Sequence, residues 1–193
     1  MDFAEFNRRP IVIALAGPNG AGKTTFFHSH LALAGLRFVC ADVLADELNL
    51  QAYEAARLAD SLRRALIARQ ESFVFETVFS DPVGDKIAFL EEAVLLGYEV
   101  VLCYIGLSSP EESVDRVSIR VSQGGHEVPL EKLLSRYPRT LANLRAAISR
   151  LPRAIIYDNS DLSDPFRLTA DFKHGKLDRI QEPIPEWLRS VIS

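Results

Sequence analysis

Residues 11–26 read IVIALAGPNGAGKTTF, an apolar β-branched run that enters a glycine-rich turn and leaves it as the start of a helix. Gly17, Gly22, Lys23 and Thr24 satisfy the spacing G-x-x-x-x-G-K-[ST]. The glycines allow backbone turns that aim several N–H groups at one anion, and Asn19, Gly20, Ala21 and Thr25 complete the loop. Lys23 supplies a point charge for the outer phosphates of a nucleotide, and the Thr24 hydroxyl is the usual ligand of Mg²⁺. The helix that follows adds the positive end of its dipole. At average composition these four fixed positions recur by accident in about one chain in a hundred of this length. Here they also lie between a predicted strand and a predicted helix, as the mechanism requires. ATP and Mg²⁺ are the expected ligands of residues 17–25.

Outward from this loop, apolar runs alternate with helical patterns. GKTTFFHSHLALAG reads as a helix closed by Gly35, and RFVCAD as a second strand. Residues 46–70 read as helical, with Ala55, Leu58, Ala59, Leu62 and Leu66 on one stripe. SFVFETV is a strand, GDKIAFLEEAVLLG a helix and YEVVLCYIGL a strand. Ser109 and Pro110 open a further helix as cap and first turn. Residues 129–151 are mostly helical, with Pro138 expected to kink or break them. RAIIYDNS is a fifth strand, residues 166–181 form a hairpin turning near His174 and Gly175, and PEWLRSVI is a short terminal helix. The expected fold is α/β of the P-loop NTPase type. It has a mostly parallel five-stranded sheet, helices on both faces and a C-terminal hairpin as an appendage. One domain, 1–193, is expected, with a lid region at about 109–140. Ligands in such sheets bind at the carboxyl ends of the strands.

Bulk properties narrow the function. Of 193 residues 48% are hydrophobic and 25% charged, and the formal net charge is -4, so nothing points to nucleic acid. No stretch is long and apolar enough to span a bilayer. The segment MDFAEFNRRP lacks the apolar core of a secretory signal, and the cytoplasm is the expected location. The two cysteines, Cys40 and Cys103, lie in separate apolar runs and read as buried thiols.

The destination of the terminal phosphate is read from what is absent and from the strand ends. No guanine-reading Asn/Thr-Lys-x-Asp occurs, no strand ends in Asp-Glu, and VSQGG at 121–125 is only an echo of a transporter-ATPase signature. Transfer is therefore favoured over hydrolysis. Asp42 ends the second strand, where a carboxylate can orient an acceptor hydroxyl and take its proton; its competing role is a helix cap. Glu76 and Thr77 end the third strand. Glu76 could bond a polar substrate, hold a Mg²⁺-bound water, or serve as a capping carboxylate. Arg116 and Arg120 share a helix face and can place guanidinium groups on the migrating phosphoryl; Arg136 and Arg139 are a second candidate pair. His126, in GGHEVP, either touches phosphate or closes a turn.

These pieces together resemble the zeta toxin family of P-loop kinases. The resemblance is carried by AGPNGAGKTTF, FVCADVLA, FVFETVFS, YIGLSSPEESVDRVSIRV, GGHEVP, RYPRTLANL and YDNS, in the family's order, over residues 11 to about 160. It implies an ATP-dependent kinase that phosphorylates the 3′-hydroxyl of the amino sugar in UDP-N-acetylglucosamine. It also implies a small helical antitoxin that blocks the nucleotide site. By the family's motifs Lys23 is the phosphate-binding lysine, Asp42 the catalytic base, Glu76 the acid that contacts substrate and Arg120 the first clamping arginine of the lid. His126 stands where the family has a second arginine, so His126 or Arg136 takes over part of that charge or the lid works differently. Asn159 falls where contacts on the adenine side are expected. A metabolite kinase of other specificity is the nearest alternative. A nucleotide-dependent binding module acting through a protein partner, by way of the hairpin, is the alternative from another class.

Overall fold

A computed structural model describes residues 9–125 and 127–193. Its strands are β1 (Ile11–Ala16), β2 (Arg37–Val39), β3 (Phe73–Thr77), β4 (Glu99–Gly106), β5 (Arg153–Asp158), β6 (Arg167–Lys173) and β7 (Lys176–Ile180). Its α-helices are α1 (Lys23–Phe26), α2 (Ala41–Leu48), α3 (Ala52–Ala68), α4 (Asp85–Leu95), α5 (Pro110–Ser122), α6 (Leu130–Arg150) and α7 (Glu186–Ile192). After α1 the same rod widens through a π turn over Phe27–Leu31, then tightens through a 3-10 turn over Ala32–Ala34, and Gly35 closes it at a φ of 64°.

The strands form one sheet in the order β2-β3-β1-β4-β5-β6-β7. The first five in that order pair in parallel, β6 pairs antiparallel with β5, and β7 antiparallel with β6. The expected hairpin is therefore no appendage: β6 pairs with β5 and extends the sheet, and Ala170 and Phe172 enter its core. Among the described strands only β7 is exposed along its whole length. The hairpin does turn at His174 and Gly175, both at positive φ.

Burial of β1 on both sides explains its unbroken apolar run. Val12, Ala14 and Ala16 face a core closed by α3, α4, α6 and α7, while Ile11, Ile13 and Leu15 face Phe26, Phe27 and Leu31 on the opposite side. The chain leaves β1 for β2 and β3 on one side of it, then crosses from β3 to β4 on the other, so the glycine-rich loop sits at the switch point of the sheet.

Four local expectations are corrected. Residues 46–70 are two helices, because Asn49 adopts the left-handed conformation and ends α2. On α3 the stripe is rotated: Ala55, Ala59 and Leu66 are buried, Leu58 is exposed, and Arg63 occupies a buried position. Pro138 neither ends nor interrupts α6, which runs for 21 residues through it. The second strand is also shorter than read, ending at Val39, so Asp42 belongs to the first turn of α2. Both cysteines are buried free thiols, pushed up to about 12 chiefly by burial.

Candidate active site

The glycine-rich loop is held by contacts that only glycine permits. Gly17 has a φ of 144°, and a Cβ there would stand 2.1 Å from the Ile105 carbonyl oxygen on β4. At Gly22, with a φ of 84°, a Cβ would meet Asn159 Nδ2 at 2.9 Å. Asn159 Nδ2 donates to the Ala21 carbonyl at 2.9 Å, and the Phe166 N–H donates to Asn159 Oδ1 at 3.2 Å. Asn159 is therefore buried behind the loop, with both ends of its amide committed to holding it. From the other side the Ser113 hydroxyl, on α5, donates to the Asn19 carbonyl at 2.6 Å. Asn19 Oδ1 is buried without a hydrogen-bond partner among the described residues.

Lys23 and Thr24 converge on one carboxylate. Lys23 is only 5% exposed; its Nζ donates to the Pro18 carbonyl at 2.9 Å and lies 3.6 Å from Glu76 Oε1. The Thr24 hydroxyl donates to Glu76 Oε2 at 2.7 Å. Glu76 thus faces the loop from the end of β3. The adjacent Thr77 hydroxyl accepts from the Phe79 N–H at 3.1 Å. The turn beyond is pinned by α6, where Thr140 donates to the Val78 carbonyl and Asn143 to those of Phe79 and Asp81, each at 2.9 Å.

Asp42 and Arg120 meet across the same cleft at 3.9 Å, both substantially exposed. Arg116, one turn earlier on α5, is more constrained. It donates to the Asn159 carbonyl at 2.6 Å and pairs with Glu112 at 2.7 Å. The α5 helix starts as read, with the Ser109 hydroxyl accepting from the Glu112 N–H. Arg139 turns away and bonds Ser135 within α6, whereas Arg136 lines the cleft. His126 lies outside the described residues.

The cleft encloses about 570 Å³. Asn19, Gly20, Gly22, Lys23, Thr24 and Thr25 line one end, next to Asp42, Glu76, Thr77, Arg116 and Arg120. Gly17, Ala21 and Asn159 support the loop from behind. The other end is walled by Tyr53, Asp60 and Arg63 of α3, Lys86 of α4, and Lys132 and Arg136 of α6. Most of that second wall escaped sequence reading. One signal was present: Arg63 stands on the buried stripe of an amphipathic helix, where a charge calls for a partner.

The residues fit a nucleotide with Mg²⁺. Among the described residues no three metal-ligating side chains converge. Mg²⁺ needs fewer, since it keeps several waters and takes one or two protein oxygens plus phosphates. The Thr24 hydroxyl offers such an oxygen, and Glu76, bonded to it, stands where a water of the cation would be. The loop N–H groups and Lys23 suit a polyphosphate.

A profile of the zeta toxin family matches residues 44–166, which begins within α2 and spans more than half of the chain. No curated protein matches the sequence significantly. Among solved structures, a chain of the PezAT chromosomal toxin-antitoxin system of Streptococcus pneumoniae superposes with a TM-score of 0.61 at 18% identity, covering 96% of this chain and 85% of that one. A chain of the AvrRxo1-ORF1:-ORF2 complex with ATP gives 0.61 at 19% identity, covering 99% of this chain, which spans 66% of that chain's length. A putative kinase from Chloroflexus aurantiacus gives 0.52 at 18% identity over 67% of this chain and 80% of that one. At these identities the superpositions establish the P-loop kinase fold, and the sequence match establishes the family: the chain belongs to the zeta toxin family.

Proposed function

We propose that the protein is an ATP-dependent kinase that transfers a phosphoryl group to a hydroxyl of a small molecule, with UDP-N-acetylglucosamine as the leading acceptor. The observation that carries this reading is the meeting of Asp42 and Arg120 in the cleft that holds Lys23 and Thr24. A carboxylate on the acceptor wall suits a hydroxyl acceptor, which it can orient and deprotonate. Family membership supports the same reaction class, and the ATP named with the AvrRxo1 complex supports ATP as donor.

Bound ATP would supply the phosphoryl group, and Mg²⁺ would neutralise its charge. The chain's own residues do the rest. Lys23 would exchange the Pro18 carbonyl for phosphate oxygens. Thr24 would bind the cation, and Glu76, already bonded to Thr24, would hold one of its waters. This favours the metal side among the roles open to Glu76 and leaves the acceptor to Thr77 and Asp42. Asp42 would accept the proton of the acceptor hydroxyl as its oxygen bonds the γ-phosphorus and the bond to ADP breaks. Arg120, freed from Asp42, and Arg116 would face the equatorial oxygens of the migrating group. Asn159 acts as a positioning residue for the loop. A small antitoxin is the partner we infer, in line with the toxin-antitoxin system to which the pneumococcal neighbour belongs. We infer the cytoplasm as the place of reaction; among the described residues no helix is long and apolar enough to cross a membrane.

The test is mass spectrometry of protein, ATP, Mg²⁺ and UDP-N-acetylglucosamine, with Asp42→Asn as control. A product heavier by one phosphate, absent in the control, is expected. ATP binding without product on any metabolite would replace this reading by the nucleotide-dependent binding module.

A further inference from the structure

β5 ends in a nearly buried carboxylate. Asp158 is 8% exposed, and its Oδ1 accepts from the indole Nε1 of Trp187 at 3.0 Å and from the Ser160 hydroxyl at 2.7 Å. Its Oδ2 faces Arg167 at 3.5 Å. Trp187 belongs to α7, beyond residues 44–166 where the family profile matches. Its indole lies on Gly106, the residue of β4 paired with Asp158: a Cβ there would stand 2.1 Å from Cζ2. A glycine at that point of the strand lets the indole come close enough to reach the carboxylate.

The turn that follows Asp158 serves two parts of the site. Through its side chain, Asn159 braces the glycine-rich loop at Ala21. Through their carbonyls, Asn159 and Ser160 accept from Arg116 Nη2 at 2.6 and 3.3 Å. The same Nη2 pairs with Glu112 at 2.7 Å. Arg116 is therefore anchored by one nitrogen, which leaves the rest of its fork for phosphoryl oxygens. Where that anchor lies depends on the 158–160 turn, and Asp158 fixes the turn. A carboxylate held away from water keeps its place only while its oxygens are bonded. Of the two groups that donate to its Oδ1, only Trp187 comes from outside the turn.

We propose that Trp187 is a positioning residue for phosphoryl transfer: its N–H holds Asp158, Asp158 and Ser160 hold the turn, and the turn sets Arg116 against the nucleotide. The proposal rests on the kinase reading and extends the machinery of that site to the C-terminal helix. An indole N–H can only donate, so its contact with the carboxylate has one polarity and one direction. A small misplacement of the guanidinium slows transfer, because the clamp must meet charge where it develops. It need not release the nucleotide, which the glycine-rich loop and Lys23 hold independently.

The chain has one tryptophan, so tryptophan fluorescence reports this contact alone. Emission is recorded with and without a saturating non-hydrolysable ATP analogue, and transfer to UDP-N-acetylglucosamine is measured on the same variants. Trp187→Phe keeps a ring over Gly106 but has no N–H. It is expected to lower kcat about tenfold, with KM for ATP within about twofold of the wild type. Ser160→Ala should behave alike, and Ser160→Thr, which keeps the hydroxyl, should recover. Trp187→Phe combined with Arg116→Ala should be no slower than Arg116→Ala alone, because the first acts through the second. In the wild type the analogue should shift the emission of Trp187; in Arg116→Ala, also saturated, the shift should be lost. Wild-type kcat in Trp187→Phe, multiplying losses in the double variant, or an emission shift that is absent from the wild type or persists in Arg116→Ala would overturn the proposal. A shift that depends on Arg116, with no transfer by the wild type, would uphold the coupling and sink only the kinase reading.

Discussion

The two ends of the cleft are built on opposite principles. At the glycine-rich end the groups proposed to meet the phosphates belong to consecutive residues, 17–25, and include the backbone N–H groups of the loop. At the acceptor end they are side chains from α3, α4 and α6, which meet only because those helices pack on one face of the sheet. The first end therefore depends on the shape of one turn, and the second on the register of several elements. Substitutions should separate the two.

The largest effect is expected where the ends meet. Asp42→Asn should lower kcat by about 10² to 10⁴ while the dissociation constant for ATP stays within twofold; equal turnover by the variant would remove Asp42 as the base. Arg120→Ala should cost about 10² to 10³ in kcat, with partial recovery in Arg120→Lys. An effect confined to KM for ATP would move Arg120 from the reacting group to the binding of the nucleotide.

Within the glycine-rich end, Asn159→Ala tests the buttress. The Ala21 carbonyl and the Phe166 N–H would both lose a buried partner, costing about 1–3 kcal/mol of stability. ATP binding should weaken as the loop loosens, with acceptor binding unchanged. Thermal melts with and without ATP measure both.

The cysteines give a pH dependence. Their folded pKa is raised, so the stability they contribute is fully present below the unfolded value, about 8.5. It is lost as pH rises from there towards about 12, where the folded thiols ionise. At neutral pH neither thiol should react with iodoacetamide until the protein unfolds. Rapid labelling of Cys40, which lines the cleft, would mean that the cleft opens more widely than its walls imply.

The smallest effect contrasts two leucines of α3. Leu58→Ser, on the exposed side, should change stability by less than about 0.5 kcal/mol. Leu66→Ala, in the core, should cost about 2–5 kcal/mol. A similar cost for both would restore the stripe expected from periodicity.

That stripe marks the limit of sequence reading. The strand–turn–helix unit around Lys23, the Ser109 cap and the turn at His174 and Gly175 were legible, because each follows from local steric and hydrogen-bonding rules. Pro138 was misjudged: α6 is held by tertiary partners, with Tyr137 donating to the Leu107 carbonyl at 2.8 Å and Thr140 to Val78. Such contacts outweigh the loss of one backbone hydrogen bond. The hairpin was misjudged because nothing local states which strand it will pair with.

By itself, then, the sequence determined the glycine-rich loop between strand and helix and the parallel core. Glycine spacing and apolar runs act over a few residues, and one strand–turn–helix unit suffices to express them. Only the tertiary structure decided that Glu76 would bond Thr24, that Asp42 would sit on a helix facing Arg120, and that Arg63 and Lys86 would share Asp60. Each of those meetings joins residues from separate elements of the fold. Their distances come from how the helices and strands pack, which no single stretch of the chain encodes.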